Sequence, residues 1–307
     1  MPRTRTLLAG LLAAAVLPLA ACGSAEDPLA PSQPAGTSAG TGGATSVTIG
    51  SADFPESALL GEIYAQALEA KGVTVQRQFN IGNRETYLKA IEGGEVDVLP
   101  EYTGSLTNYF DKTVTATNPD EIYDALKTKL PGGLTVLAKS TAEDKNSMVV
   151  TKETADAWSL KAIPDLVAHQ DELSIAAPPE FRTRQQGLVG LKEVYNLEPK
   201  EFRPLASQAT VEALKNGQVK AANIFSTDPS IAANGFVVLE DPKLLFGSDN
   251  VVPLVRDDVA GSVQAPLDAV SAKLDTTALA DMVKQVVVDK KDASVVAKEW
   301  LTSAGLI

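Results

Sequence analysis

The residues able to do chemistry are few. Of 307 residues, one is cysteine and one is histidine. A single cysteine cannot close an internal disulfide. A Cys/His zinc site needs about four ligands. Catalysis that uses two histidines is excluded as well. No G-x-x-x-x-G-K-S/T run and no C-x-x-C run occurs, so the chain has neither a phosphate-cradling loop nor a thiol redox pair. Glu95 and Asp97 alternate on an extended stretch with no nucleophile beside them. The sole histidine, His169, sits in the polar stretch Val-Ala-His-Gln-Asp-Glu and is expected to be exposed. Trp158 and Trp300 lie in amphipathic helical surroundings and are expected to pack. What remains is binding chemistry. Asp53 and Ser57 flank a helix start, where free N–H groups can meet a polar ligand group; plain capping is the simpler role for Asp53. Tyr102 follows a strand, at the edge where open α/β sheets bind ligands.

The N-terminus carries an address. Arg3 and Arg5 precede an apolar run from Leu7 to Leu19, and Ala20 and Ala21 follow. This reads as a signal peptide, residues 1–21, too short to span a bilayer stably. Cys22 directly follows Leu19-Ala20-Ala21, and the tetrad resembles a bacterial lipobox. That resemblance implies cleavage before Cys22 and acylation of its thiol, which predicts a membrane-anchored lipoprotein on the extracytoplasmic face. The residues after Cys22, to position 45, are almost wholly Gly, Ala, Ser, Thr and Pro. They cannot bury enough apolar area to offset ordering entropy and read as a flexible tether. A formal net charge of −12 argues against a nucleic-acid partner.

The body alternates strand and helix. Val47–Gly50 reads as a strand, and Asp53-Phe-Pro-Glu56 as a helix start with Pro55 in the first turn. Leu59, Leu60, Ile63, Tyr64, Ala67 and Leu68 recur at helical spacing. A strand over 73–79, a helix carrying Tyr87, Leu88 and Ile91, and a strand over 96–99 follow. The β-α-β-α-β order predicts a parallel sheet. A second such series runs through strands at 173–176, 219–225 and 236–239, with helices over 184–195 and 210–216. Two helices, about 276–288 and 293–302, close the chain. Two similar layers predict two lobes with a cleft. Strand-like runs within 134–153 and over 251–256 are expected to cross between them. Lobe one is then 46–145 plus 251–307, and lobe two is 146–250. Two crossovers permit a hinge.

Six stretches point to one family: IGSADFPES, GEIYAQALEAKG and GNRETYLKAIEGGEVDVLPEYTGSL near the start, then AAPPEFRTRQQGLVGLKEVYNL at 176–197, ALKNGQVKAANIFSTDPSI at 213–231 and VVLEDPKLLFGSDNVVPLVR at 237–256. Over residues 46–307 the chain resembles the ProX/OpuAC substrate-binding proteins of compatible-solute ABC importers. The resemblance implies a two-lobed type II periplasmic-binding-protein fold that closes on one solute and presents it to a membrane permease. It implies no cofactor, no metal and no catalysis, and a monomer is expected.

In that family a trimethylammonium head sits in a cage of aromatic rings, held by cation–π attraction. By resemblance, Tyr102 matches a cage tyrosine and Ser105 a hydroxyl that touches the ligand's polar end. Phe225 stands where a cage tyrosine is usual. Arg184 matches an arginine that binds a carboxylate, with Arg182 as its near alternative. Met148 and Asp249 stand at two further cage positions, Ala52 replaces a frequent lysine, and Ser57 replaces a frequent glutamine. The expected solute is a small quaternary-ammonium or polar compatible solute such as glycine betaine, choline or a carnitine-like compound. A polyol or amine, or a sensor or interaction role without transport, stands as the alternative.

Overall fold

The computed structural model describes residues 46–307. The signal peptide, Cys22 and the tether lie outside the described residues.

The chain first builds β1 (Ser46–Gly50), α1 (Pro55–Glu69), β2 (Thr74–Gln78), α2 (Arg84–Glu92), β3 (Val98–Tyr102), α3 (Thr103–Phe110), α4 (Pro119–Lys129) and β4 (Leu134–Val136). It then crosses to β5 (Asn146–Val150), α5 (Lys152–Trp158), β6 (Ser174–Ala177), α6 (Gly190–Tyr195), β7 (Glu201–Pro204), α7 (Gln208–Lys215), β8 (Ala221–Phe225), α8 (Ser230–Ala233) and β9 (Val237–Val238). It returns through β10 (Val251–Arg256) and ends in α9 (Asp257–Ser271), α10 (Thr276–Val287) and α11 (Ala293–Ser303).

Two five-stranded sheets result, ordered β2-β1-β3-β10-β4 and β7-β6-β8-β5-β9. The layout is the same in each. A parallel trio, β2-β1-β3 or β7-β6-β8, is continued by a strand running against it, β10 or β5. Each of those antiparallel strands is the first element after a crossover. The crossovers lie side by side: Asp144 N–H donates to the Asp249 carbonyl at 3.1 Å and Val251 N–H to the Ala142 carbonyl at 3.0 Å. Two α/β lobes are thus joined by a two-stranded seam.

Helices cover both faces of each sheet. In lobe one, Leu59, Leu60, Ile63, Tyr64 and Leu68 of α1 pack with Val263, Leu267 and Val270 of α9 and with Leu301 of α11. Leu88 and Ile91 of α2, Leu106 of α3 and Leu126 of α4 fill the opposite face. Burying such aliphatic side chains, at roughly 1.5–3 kcal/mol each, is what holds the parallel strands between helix layers.

Four details depart from the sequence reading. Asp53 does not cap α1: Phe54 takes the cap position in extended backbone, with Pro55 in the first turn. Residues 184–195 are not one helix, because a wide turn over Gln185–Val189 precedes α6. At that turn Gly187 passes so close to the Phe181 carbonyl that a Cβ would lie 2.0 Å from the oxygen. Helix α9 carries Pro266 inside it, a residue that ordinarily breaks helices and so hid this one. His169 is half-buried rather than exposed, stacked on Trp158 at 4.4 Å between ring centroids and 4° between planes. Among the described residues no helix is long and apolar enough to cross a membrane.

Candidate ligand site between the lobes

The ends of β3 and β8, the start of α1, the wide turn before α6 and the crossover seam converge on one cavity of about 1290 Å³. Both lobes line it. From lobe one come Phe54, Glu56, Tyr102 and Ser105; from lobe two come Arg184, Gln186, Phe225 and Thr227.

Three rings form a row across the gap. Phe54 stacks on Tyr102 at 6.3 Å and 30°, and on Phe225 at 5.6 Å and 26°. The row therefore joins α1 and β3 of lobe one to β8 of lobe two. These separations fall in the range where offset stacking is favourable, and each ring presents a face attractive to a cation.

Beside the rings lies a group of buried carboxyls. Glu56 is 4% exposed and accepts from the Tyr102 hydroxyl at 2.6 Å and the Thr227 hydroxyl at 2.5 Å. Thr227 also gives its backbone N–H to Asp144 at 3.0 Å, and Ser226 donates its hydroxyl to the same carboxyl at 3.2 Å. Burial pushes the Glu56 carboxyl up from the ordinary carboxylate range. Burial and the neighbouring Glu56 charge push Asp144 well up too. On the seam, Asp249 accepts from the Ser105 N–H at 2.9 Å and from the Ser105 hydroxyl at 2.5 Å. Burial, only partly offset by those bonds, raises its pKa to about 7. Gly104 makes this approach feasible, since a Cβ there would lie 2.4 Å from the Ser248 carbonyl oxygen.

The basic groups are differently placed. Arg84 is buried and holds Glu101 with two parallel bonds of 2.9 Å; Tyr87 donates its hydroxyl to the same carboxylate at 2.8 Å. Arg184 of lobe two reaches across to Glu85 of α2 at 2.9 Å. Lys112 and Lys290 line the cavity but are exposed. Besides the rings, the lobes are bridged by the Thr227–Glu56 bond, the Arg184–Glu85 ion pair and the Gln186 side-chain oxygen, which lies 2.9 Å from the Ser105 hydroxyl and shares with Asp249 its one proton.

Seven residues singled out in the sequence line this cavity: Ala52, Tyr102, Ser105, Phe225, Arg184, Asp249 and, exposed beside the α1 start, Asp53. Two do not. Met148 is fully buried in the core of lobe two, on the β5 face that packs against Ile163, Leu166 and Ile175. Ser57 is buried behind the loop, where its hydroxyl accepts the Ala52 N–H at 2.9 Å and fixes the turn into α1. Arg182 points away from the cavity, its guanidinium 5.0 Å from the Phe202 ring. The sequence reading missed Phe54, Glu56, Asp144 and Thr227. Phe54 and Glu56 stand in Asp-Phe-Pro-Glu, read there only as a helix start. An aromatic residue directly before the first-turn proline was the available signal. Asp144 carries no local signal, because its role depends on the crossover.

Two α/β lobes hinged by a paired crossover around a ring-lined polar cavity define a solute-binding protein of the type II periplasmic class. Residues 45–303 match the family described as the substrate binding domain of the ABC-type glycine betaine transport system, and the chain belongs to that family. The glycine betaine-binding protein YehZ of Escherichia coli is 29% identical over 85% of this chain and 92% of its own length. An ergothioneine transport permease/ergothioneine binding protein, EgtU, of Helicobacter pylori is 24% identical over 82% of this chain and 46% of its own length. Among solved structures, a glycine betaine/carnitine/choline ABC transporter protein superposes with a TM-score of 0.67 at 21% identity, covering 85% of this chain and 99% of the other. This supports the fold.

Proposed function

We propose that the protein is a lipid-anchored, monomeric receptor on the extracytoplasmic face of the cell membrane, which closes on one small solute with an ammonium head and delivers it to an ABC permease. The observation that carries the reading is the ring row Tyr102–Phe54–Phe225, drawn from both lobes and set beside buried carboxyls. Rings on both sides of a gap contact a solute together only when the lobes are shut. The solute then stabilises the closed state by its differential affinity for that state. Tyr102, Phe54 and Phe225 contact the head, Ser105 and Asp249 its polar end, and Asp53 borders the entrance. The names carried by the relatives, for glycine betaine and ergothioneine, support a small solute of this kind. Cys22 carries the lipid, and residues 23–45 let the body stand off the membrane. In this reading the protein catalyses no reaction.

The test is a melting-temperature screen of the purified protein with choline, glycine betaine, carnitine, polyols and simple amines, followed by small-angle scattering with any hit. An ammonium solute is expected to raise the melting temperature and to compact the particle. No shift with any of them defeats the receptor reading. A shift from a polyol alone, without ammonium, favours the alternative ligand class.

A further inference from the structure

The receptor reading leaves open which charge the solute carries, and the cavity decides it by what its charged groups already hold. Seven carboxyl side chains line the cavity against four basic ones. Of the four, Arg84 is matched by Glu101 in a buried pair and Arg184 by Glu85. Lys112 and Lys290 stand in water.

The buried acids have no such partners. Glu56, Asp144 and Asp249 are 4%, 3% and 2% exposed. Their hydrogen bonds come from neutral hydroxyls and backbone N–H groups of Tyr102, Ser105, Ser226 and Thr227, and Glu56 and Asp144 also hydrogen-bond each other, so that this pair shares a proton. Among the described residues, no ion pair includes any of the three. Asp228, after β8, adds a further negative charge facing Glu56. Arg84 is the basic group whose charge acts on Asp249, and Glu101 already pairs with it. Three acids withdrawn from water without a counter-ion are costly, and the penalty is removed by protonation or by an incoming cation. A ligand carboxylate would add to it, since among the described residues the only lining bases without a carboxylate partner, Lys112 and Lys290, are exposed to water.

We propose that the cavity is built for a small monocation without a carboxylate, an ammonium alcohol such as choline or a protonated amine, with Glu56 and Asp144 as its counter-charge beside the Phe54–Tyr102–Phe225 rings. This deepens the receptor reading and rests on it. Glu56 has a second task as the acceptor that joins the lobes through Thr227, so its variant must be read as a ratio between two ligands.

The purified protein is titrated calorimetrically with choline and with glycine betaine, which share a trimethylammonium head and differ in carrying a hydroxyl or a carboxylate. Choline is expected to bind at least about tenfold more tightly. Glu56→Gln, and separately Asp144→Asn, are expected to weaken choline about tenfold more than they weaken glycine betaine. The ratio is insensitive to a variant that only loosens closure, because closure serves both ligands. Glycine betaine binding as tightly as choline overturns the inference and leaves the receptor reading standing. So does an equal loss of both ligands in both variants. Failure of both ligands and of every solute in the screen overturns the receptor reading, and this inference with it.

Discussion

Thr227 of lobe two donates its hydroxyl to Glu56 of lobe one at 2.5 Å, and its backbone N–H goes to Asp144 on the crossover. One residue therefore ties both lobes and the hinge at the floor of the cavity. Glu56 opens helix α1 and Thr227 follows strand β8, so the bond forms only where the lobes meet. Thr227→Val keeps the shape and removes the hydroxyl. It is expected to cost the shut state about 1 kcal/mol, the ordinary worth of one hydrogen bond. The unliganded protein should then have a larger radius of gyration by small-angle scattering. An unchanged radius would separate this bond from closure.

Phe225 and Met148 lie on adjacent, paired strands and have opposite fates. Phe225 is half-buried in the ring row, whereas Met148 is enclosed in the lobe-two core. Phe225→Ala is expected to weaken choline binding by about tenfold, within the range of a desolvated cation–π contact, with a small change in melting temperature. Met148→Ala is expected to cost about 2–5 kcal/mol of stability and to leave the affinity of the folded protein unchanged. Calorimetry and denaturant unfolding on the two variants check both halves. Reversal of the pattern would exchange their roles.

The free protein should lose stability as pH rises from 3.8 toward about 7. Asp249 titrates at 3.8 when unfolded and at about 7 in the fold. Between these values the folded state holds a proton that the unfolded state has released, so raising the pH favours unfolding. The contribution is present in full below 3.8 and lost by about 7. Glu56 and Asp144, also raised, act in the same direction. Carboxylates held low by arginine, such as Glu85 beside Arg184, act oppositely, and only below their ordinary range. Melting temperature measured across this window should fall with pH. Asp249→Asn should flatten the slope, and an unchanged slope would show that Asp249 is not its source.

Membrane attachment should depend on a single sulfur. Cys22→Ser is expected to move the protein from the membrane fraction to the soluble fraction. Continued sedimentation with membranes would defeat lipid anchoring through Cys22.

Several elements are legible in the sequence itself. Helix α1 is read from Leu59, Leu60, Ile63 and Leu68 because helical period and burial coincide there, and Tyr102 and Phe225 are found by the blocks around them. Helix α9 is not legible, since Pro266 interrupts its pattern and only packing against α1 secures it. Met148 lies two residues beyond the cavity-lining Asn146 on β5, inside the lobe-two core, and Ser57 turns inward from α1 to hold the Ala52 N–H.

Local order and membership of a binding fold were within reach of the amino-acid order, because period, turn residues and segment succession are properties of neighbours along the chain. The electrostatics of the cavity were not. Arg184 looks like a ready anion receptor until the fold sets Glu85 against it. Glu56 and Asp144 draw no notice as site residues in the sequence until folding takes them out of water together with Asp249. Burial and pairing are relations between residues far apart in the chain, so tertiary structure alone decided which charge the cavity leaves unanswered.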